Sequence, residues 1–555
     1  MIHSLYCNWE QSHSVCHFFE YNFFVFFLID MEVRSTDPEV LTVTTASEEF
    51  ARFFSATLEL IHECEQHLQE SPSHFRQVER TLSHAFKKGA GMVTAGLLNT
   101  TSKDEGVIAQ VHEIRQSSET PLRSPVRQTI FIRLICGVLL QVTTLYCAPQ
   151  SKQANPHDIE ARTGLYPELA AYGFAKKSSA ALEDHVTRRV ALSPSFEVAT
   201  RELNHEGMDI NVKEVRRIAL QCGESLLAMR LVMVQSFLAG TLIAGDELAG
   251  KRVVVEIDGG RMKLRQNKAQ TRQSQGKHPK YDTDWREPKL LIIYTVDEHG
   301  KKEKQSRVWM DGTFQGPDHS AELLASWLDR LGVSQAESVT LIADGATWIW
   351  DRFDWVVEAL QLPRAKVQYV LDFYHAAHHI SLALGELSLT EEDRKRHFRE
   401  LRSALRQSRW QAVVSRLEEI SGDLLAEEDS VFSRELRFIR KHGERGHLNY
   451  TTYTRRGLPL GSGAVESAIR RVVNLRLKGN GMFWTAENAE SMLQIRCQLL
   501  STEWDIRLDE LYQHRLKTRR RKWQWQAEEH SKKSQSEPKP KNKNCGYPQN
   551  HGTKT

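Results

Sequence analysis

The spacing of apolar residues changes several times along the chain. From 48 to 98 they recur every three or four positions, as in Phe50, Phe53, Phe54, Leu58 and Ile61, which predicts helices. Residues 102–125 are polar and read as a linker. Residues 128–145 form a denser apolar run, rich in Ile, Val and Leu, that fits a strand or a helix. Residues 151–163 are again polar and loop-like. Helical spacing returns over 165–231, and the pattern changes once more at Lys251. Beyond it, short apolar runs at 252–258, 290–297, 306–310, 338–343 and 366–371 read as strands. Helices are predicted at 320–331, 348–360 and from 373.

The order β-β-β-α-β-α-β-α has hairpin-like connections among its first strands and helical crossovers later. That predicts a mixed α/β sheet with helices on its faces. It resembles the order of a ribonuclease H-like domain, although other α/β folds also begin with a meander. Residues 387–446 are strongly helical and highly charged, with amphipathic stretches at 394–405 and 410–425. They interrupt the α/β pattern and read as an all-helical insertion. Helical character resumes at 464 and runs to about 521, with a break near 479–481. Upstream, 195–201 and 211–220 read as short helices flanking turn residues 204–209. This resembles a helix-turn-helix carrying Lys213, Arg216 and Arg217 on its second helix. An ordinary helical hairpin fits too, because the turn exceeds the usual three to four residues.

The resulting plan has an N-terminal, mostly α-helical region over 31–150 and a helical DNA-binding region over 151–245. A ribonuclease H-like domain over 250–386 and 456–511 is split by the helical insertion at 387–455, and a basic tail spans 512–555. The tail carries a large surplus of Lys and Arg and becomes rich in Lys, Pro, Asn and Ser, a composition that cannot bury a core. Residues 1–30 differ in character from the rest. Their apolar run at 23–29 is far short of the ~20 residues needed to span a bilayer. They also lack the cationic start and small-residue cleavage site of a signal peptide. They read as a spurious extension from a mis-assigned start, with ordinary sequence beginning at Met31.

With 74 basic and 71 acidic residues the net charge is only +3. A protein that binds through bulk charge alone is excluded, while a locally basic surface is not. The eight cysteines include no CxxC pair, which argues against a zinc ribbon and for scattered thiols in a reducing compartment.

Three carboxylates fall where a metal site could assemble. Asp258 ends the first strand of the α/β region, in Val-Val-Val-Glu-Ile-Asp-Gly-Gly. Asp344 ends the fourth, in Leu-Ile-Ala-Asp-Gly-Ala, and Asp372 ends the fifth, in Tyr-Val-Leu-Asp-Phe-Tyr-His. If these strands are parallel neighbours, their carboxyl ends share the sheet edge where open α/β folds bind ligands. Hard divalent ions take such oxygen donors. Each Asp-Gly could equally be a tight turn, and Asp311-Gly312 reads as one. Glu466 falls in the first turn of a helix after Gly461-Ser462-Gly463. It is either a capping feature or a third carboxylate aimed at the aspartates. His375, His378 and His379 have helical spacing that can bind zinc, but the segment is not HExxH. His375 is better placed beside the carboxylates, near a scissile phosphate.

Residues 261–289 carry nine Lys or Arg and three acids, with Tyr281 and Trp285 among them. They read as a solvated hairpin or as a phosphate-neutralising surface. The basic run at 515–522, with Trp523 and Trp525, allows the same two readings. Candidate DNA contacts are Arg261, Lys263, Arg265, Lys289, Arg470, Arg471, Arg476 and Lys478.

The runs at 256–261, 285–289, 343–350, 371–375 and 461–478 are similar to those of DDE transposases of bacterial insertion sequences of the Kra type. The ordered set, with its Asp372-x-x-His375 signature, also resembles Mutator-like transposases. The resemblance covers roughly 48–511 and is densest from 251. It implies that Asp258, Asp344 and Glu466 are a catalytic, metal-holding triad for two Mg²⁺ (or Mn²⁺) ions, with Asp372 and His375 as auxiliary catalytic residues. It also implies a cytoplasmic bacterial enzyme with no membrane partner, acting as a homo-oligomer on terminal inverted repeats and on target DNA. Two alternatives stay open: a non-catalytic DNA-binding remnant or regulator, and a metal-dependent nuclease without strand transfer.

Overall fold

The structure is a computed structural model and describes residues 32–35, 45–117, 122–150, 164–267, 281–304, 306–422, 430–479, 482–501 and 503–517. The expected extension at 1–30, the core of the basic loop at 268–280 and the tail beyond 517 lie outside the described residues.

The chain begins with strand β1 (Glu32–Ser35), then the paired helices α1 (Ala46–Glu70) and α2 (Phe75–Thr101). Thr45 and Glu48 cap α1 reciprocally, each side chain accepting the other's backbone N–H. The polar stretch read as a linker contains a third helix, α3 (Glu105–Gln116), started by Asp104, which accepts from Gly106 N and Val107 N. Polarity there reflects one exposed helix face, with Val111 and Ile114 buried on the other. The ambiguous apolar run is a hairpin, β2 (Val126–Arg133) and β3 (Leu139–Tyr146), turned at Gly137 with φ +85°. Strands order β1-β3-β2, so this region is helices plus a small sheet. Ile130, Ile132, Leu140 and Val142 pack on Met92, Ala95 and Leu98 in a core of their own.

Next come α4 (Pro167–Ala171), α5 (Ala180–Leu192), α6 (Phe196–His205) and α7 (Val212–Leu238). The helix-turn-helix expectation meets a helix of 27 residues at its second position, far longer than the expected 211–220. Lys213, Arg216 and Arg217 are exposed on its first turns. Further along, Ile218, Ala219, Cys222 and Leu226 run into the main core. By length and hydropathy α7 could cross a membrane, but half of its most apolar window is buried against this fold.

The main core surrounds a five-stranded mixed sheet. Its strands are β4 (Arg252–Gly259), β7 (Lys289–Val296), β8 (Val308–Thr313), β9 (Ser338–Ala343) and β10 (Val367–Leu371), in the order β10-β9-β4-β7-β8. Pairing is parallel for β4–β9 and β9–β10 and antiparallel for β4–β7 and β7–β8. The first, fourth and fifth strands are thus parallel neighbours, as the sheet-edge argument requires. A second hairpin, β5 (Met262–Asn267) and β6 (Tyr281–Arg286), leaves the sheet directly after β4. The basic segment is therefore built partly on paired strands. Helices α8 (Pro317–Arg330) and α9 (Thr347–Ala359) make the crossovers, and α10 (Phe373–Gly385) follows the last strand.

The insertion supplies α11 (Glu391–Arg406), α12 (Trp410–Ile420), α13 (Val431–Glu444) and α14 (Tyr450–Arg455). The chain then returns through α15 (Gly463–Ile469), a π-helical turn (Arg470–Asn474), α16 (Ala486–Leu500) and α17 (Trp504–Lys517).

Asp311, read as a turn residue, lies inside β8 and is fully buried. It pairs with Arg230 of α7 at 3.1 Å and accepts from Trp327 Nε1 at 2.8 Å. Arg230 also pairs with the buried Glu490 of α16 at 2.6 Å. This Asp-Gly is part of an ion-paired strut between sheet and helices, a role set by the distant Arg230.

Candidate active site

Asp258 sits near the end of β4, after Val253, Val254, Val255 and Ile257, all buried. An apolar strand sealed on both faces favours polar groups at its ends, and Asp258 stands at the carboxyl edge. Gly259 N donates to Asp258 Oδ1 at 2.6 Å. Asp344 follows β9 directly, and Ala346 N donates to its Oδ1 at 2.9 Å. The turn there needs Gly345, with φ +100°. Phe438 of α13 packs so closely that a Cβ on Gly345 would lie 2.4 Å from its ring. The helical insertion thereby holds the turn behind Asp344 from outside the sheet.

Glu466 is presented by α15, whose Val465, Ala468 and Ile469 are buried while the Glu466 side chain is half exposed. His375 of α10 lies between the acids. Its Nδ1 is 3.6 Å from Asp372 Oδ2 and 4.0 Å from Glu466 Oε1, and makes no hydrogen bond. Among the described residues, Asp372, His375 and Glu466 form the one set of three donors lying within 4.8 Å of one another. Asp258 and Asp344 stand farther off yet interact electrostatically with this set. Burial first, then the Asp344 charge, push the Asp258 carboxyl up to about 6, and Glu466 adds to this while His375 opposes it. The Asp372 carboxylate, followed by the charges of Asp344 and Glu466, raises the His375 pKa against the downward pull of burial.

Asp372 differs from the other acids. It is 1% exposed, and its four lone-pair positions are taken by Tyr374 N at 2.6 Å, His375 N at 3.2 Å, Ser462 N at 2.6 Å and the Ser462 hydroxyl. Burial acts upward on its pKa, but the adjacent His375 ring and the bonds from Ser462 outweigh that and hold it at about 2. It caps α10 and ties down the loop that enters α15. An expected contact with a scissile phosphate would have to break one of these bonds.

The histidine triplet does not assemble as a zinc set. His379 is paired with Glu435 and stacked on Phe438, its ring centroid 3.6 Å away, and His378 is exposed.

The expected DNA-contact residues divide by burial. Arg261 and Lys263 are exposed on the β5–β6 hairpin, with their charges 4.9 Å and 5.0 Å from the ring centroid of half-exposed Trp285. Arg265 is half-buried there, and Arg470, Arg471 and Lys478 are exposed. Lys289 and Arg476 depart from the expectation. Lys289 is 8% exposed and sits over Trp348, with its Nζ 3.9 Å from Glu287. Arg476 is 2% exposed, 5.2 Å from Phe196 and 5.0 Å from Trp484 as a core cation. A side chain so enclosed reaches no phosphate.

Two residues that sequence reasoning did not single out belong to the site's frame. Ser462 bonds Asp372, with its Oγ also 3.5 Å from Glu466 Oε1. Glu256, fully buried within β4, accepts from Tyr294 Oη at 2.6 Å and from Val465 N at 2.8 Å. Its signal was legible: a Glu inside an apolar strand needs a buried partner.

Fold and site together define a mixed α/β protein with a rim of under-compensated carboxylates beside a basic hairpin. No family model and no curated protein matches the chain. Among solved structures, the strand transfer complex of the Drosophila P element transposase aligns at 12% identity with a TM-score of 0.22. The alignment covers 61% of this chain and 82% of that one. A likeness that loose establishes neither a shared fold nor a shared chemistry.

Proposed function

We propose that the protein is a DDE-type transposase of the bacterial Kra-type insertion-sequence kind. It would cut DNA at terminal inverted repeats and join the freed 3′ ends to target DNA. One observation supports the reading: Asp258 and Asp344 end neighbouring parallel strands at the carboxyl edge of a mixed sheet, and Glu466 of α15 is near enough for its charge to act on Asp258, beside an exposed cationic hairpin. The strand order and the helical insertion before α15 also support a ribonuclease H-like frame.

The donors fit divalent cations. Asp258, Asp344 and Glu466 offer the oxygen donors such ions take, and Asp258 is crowded by the like charges of Asp344 and Glu466. Asp258, Asp344 and Glu466 would hold the ions, Mg²⁺ or Mn²⁺. Bound there, two such ions supply Lewis-acid activation of the attacking oxygen and stabilise the departing 3′ oxygen. The protein's own part is positioning. Arg261 and Lys263 of the hairpin and Arg470 and Arg471 after α15 anchor phosphates near the acids. His375 orients the scissile phosphate or holds a proton beside it, its charged form favoured by the surrounding acids. Hydrolysis at the repeat end frees a 3′ hydroxyl, which then displaces a 3′ oxygen in the target strand. One phosphodiester forms for each one broken, so the joining step consumes no outside energy source. The acting unit is a homo-oligomer on paired ends, in the bacterial cytoplasm.

The test is cleavage of DNA carrying the element's flanking repeats, with and without Mg²⁺ or Mn²⁺, using the parent and Glu466→Gln. Metal-dependent cutting by the parent, with binding but no cutting by the variant, is the expected result. Binding without cutting by both would make the chain a DNA-binding remnant. Cutting without joining would make it a nuclease.

A further inference from the structure

We infer that Glu256 is a positioning residue: its buried carboxylate, acting opposite that of Asp372, seats the first turn of the helix that presents Glu466. Both oxygens of Glu256 are engaged, Oε1 by the Tyr294 hydroxyl at 2.6 Å and Oε2 by Val465 N at 2.8 Å. Among the described residues no lysine or arginine pairs with it, unlike Asp311 and Glu490 on the far side of the sheet. Packing alone would be served by a leucine at this place in the strand, whereas a buried carboxylate needs compensation by hydrogen bonds. What the carboxylate gains is a grip on a backbone amide that the start of a helix leaves without an intrahelical acceptor.

Asp372 makes the matching grip three residues earlier, accepting the backbone N–H and the hydroxyl of Ser462. The two acceptors come from different strand ends, β4 and the residue after β10. They bracket 462–465, the segment immediately before Glu466, and Glu466 N closes the turn by donating to Ser462 O at 3.2 Å. The strand that carries Asp258 therefore also sets the position of Glu466, through Glu256 two residues away. The spacing between two acids of the rim is built into one rigid element and does not depend on the flexible Glu466 side chain alone.

The functional consequence rests on the reading of Glu466 as a metal-holding residue; the structural consequence does not. The experiment therefore uses two readouts on the full-length protein. Glu256→Gln keeps the shape, can accept from Val465 N and can donate to Tyr294. Glu256→Met keeps the bulk and removes both acceptors. Hydrogen exchange of the peptide spanning 460–470 is followed together with Mn²⁺ affinity and repeat-end cleavage. Peptides from β9 and α16 report that the rest of the fold is intact.

Glu256→Met is expected to speed exchange at 460–470 by about threefold to tenfold, the net value of one intramolecular hydrogen bond. Mn²⁺ affinity and cleavage should fall while repeat-end binding holds, and Glu256→Gln should restore all three. Unchanged exchange in Glu256→Met would overturn the inference. So would a Glu256→Gln variant with normal exchange but lost metal affinity, since the charge itself would then be at work. Should Glu256→Met fail to fold, faster exchange at 460–470 in Glu256→Gln would overturn it as well. If the parent does not cut DNA, the proposed function fails while the exchange result still decides this point.

Discussion

Two acidic groups lie on opposite sides of the same sheet, and they behave oppositely. On the β8 side, Asp311 and Glu490 are fully buried, yet every oxygen has a donor. Arg230 bridges them, Trp327 Nε1 and Gly312 N complete Asp311, and Thr313 Oγ1 and Phe314 N complete Glu490. At the carboxyl edge of β4 and β9, Asp258, Asp344 and Glu466 have backbone or hydroxyl donors and one histidine, but no lysine or arginine pairs with them among the described residues. The residue types are the same and the Asp-Gly motif is the same. What distinguishes a strut from a candidate site is whether a buried cation of the protein shares the negative charge.

The widest break between the two groups should appear in catalysis. Glu466→Gln and Asp344→Asn are expected to lower repeat-end cleavage by about a thousandfold or more, roughly 4 kcal/mol of transition-state stabilisation. The unfolding free energy in denaturant should stay nearly unchanged. Asp311→Asn, read by the same two assays, should show the reverse balance, losing stability and keeping the chemistry of the correctly folded fraction.

Stability should separate them next. Arg230→Met strands two buried carboxylates and is expected to cost about 3–5 kcal/mol, measured as a lower denaturation midpoint. An Arg230→Met protein as stable as the parent would mean that the strut is not what holds α7 and α16 to β8.

The pH response sharpens the contrast more gently. The Asp258 carboxyl sits at about 6 in the fold, against about 3.9 unfolded, so the native state holds this proton more tightly. Its contribution favours the fold below about pH 4 and is lost as pH rises through 6. Without divalent ions, melting temperature should therefore decline over that window, and Asp258→Asn should flatten the decline. Added Mn²⁺ should raise the melting temperature at pH 7 in the parent more than in Asp258→Asn.

The smallest effects belong to the cations. Lys263→Ala and Arg261→Ala should leave stability within about 0.5 kcal/mol and reduce the salt dependence of DNA binding by about one phosphate contact each. Arg476→Ala should do the opposite, destabilising the core between Phe196 and Trp484 without changing the salt slope.

Burial explains why sequence reasoning succeeded in some places and missed in others. The five strands of the main sheet were legible because each is a short apolar run that ends abruptly in polar residues. Asp258 and Asp344 were legible as the residues at those ends. The β2–β3 hairpin was not resolved by its pattern, since a dense apolar run fits strand and helix alike. Helix α3 was missed because its buried side is only Val111 and Ile114. Arg476 and Lys289 look like any other basic residues in the sequence, because whether a cation faces DNA or an aromatic core depends on what packs over it.

By itself the sequence determined the alternation of strands and helices, the rim placement of two aspartates and the local surplus of positive charge. All of these follow from short-range periodicity and from the need to end an apolar strand with something polar. Tertiary structure alone decided which acids are balanced. Arg230 reaches Asp311 from 81 positions away, Ser462 reaches Asp372 from 90 and Val465 reaches Glu256 from 209. Charge compensation acts through space, so no window of sequence contains it.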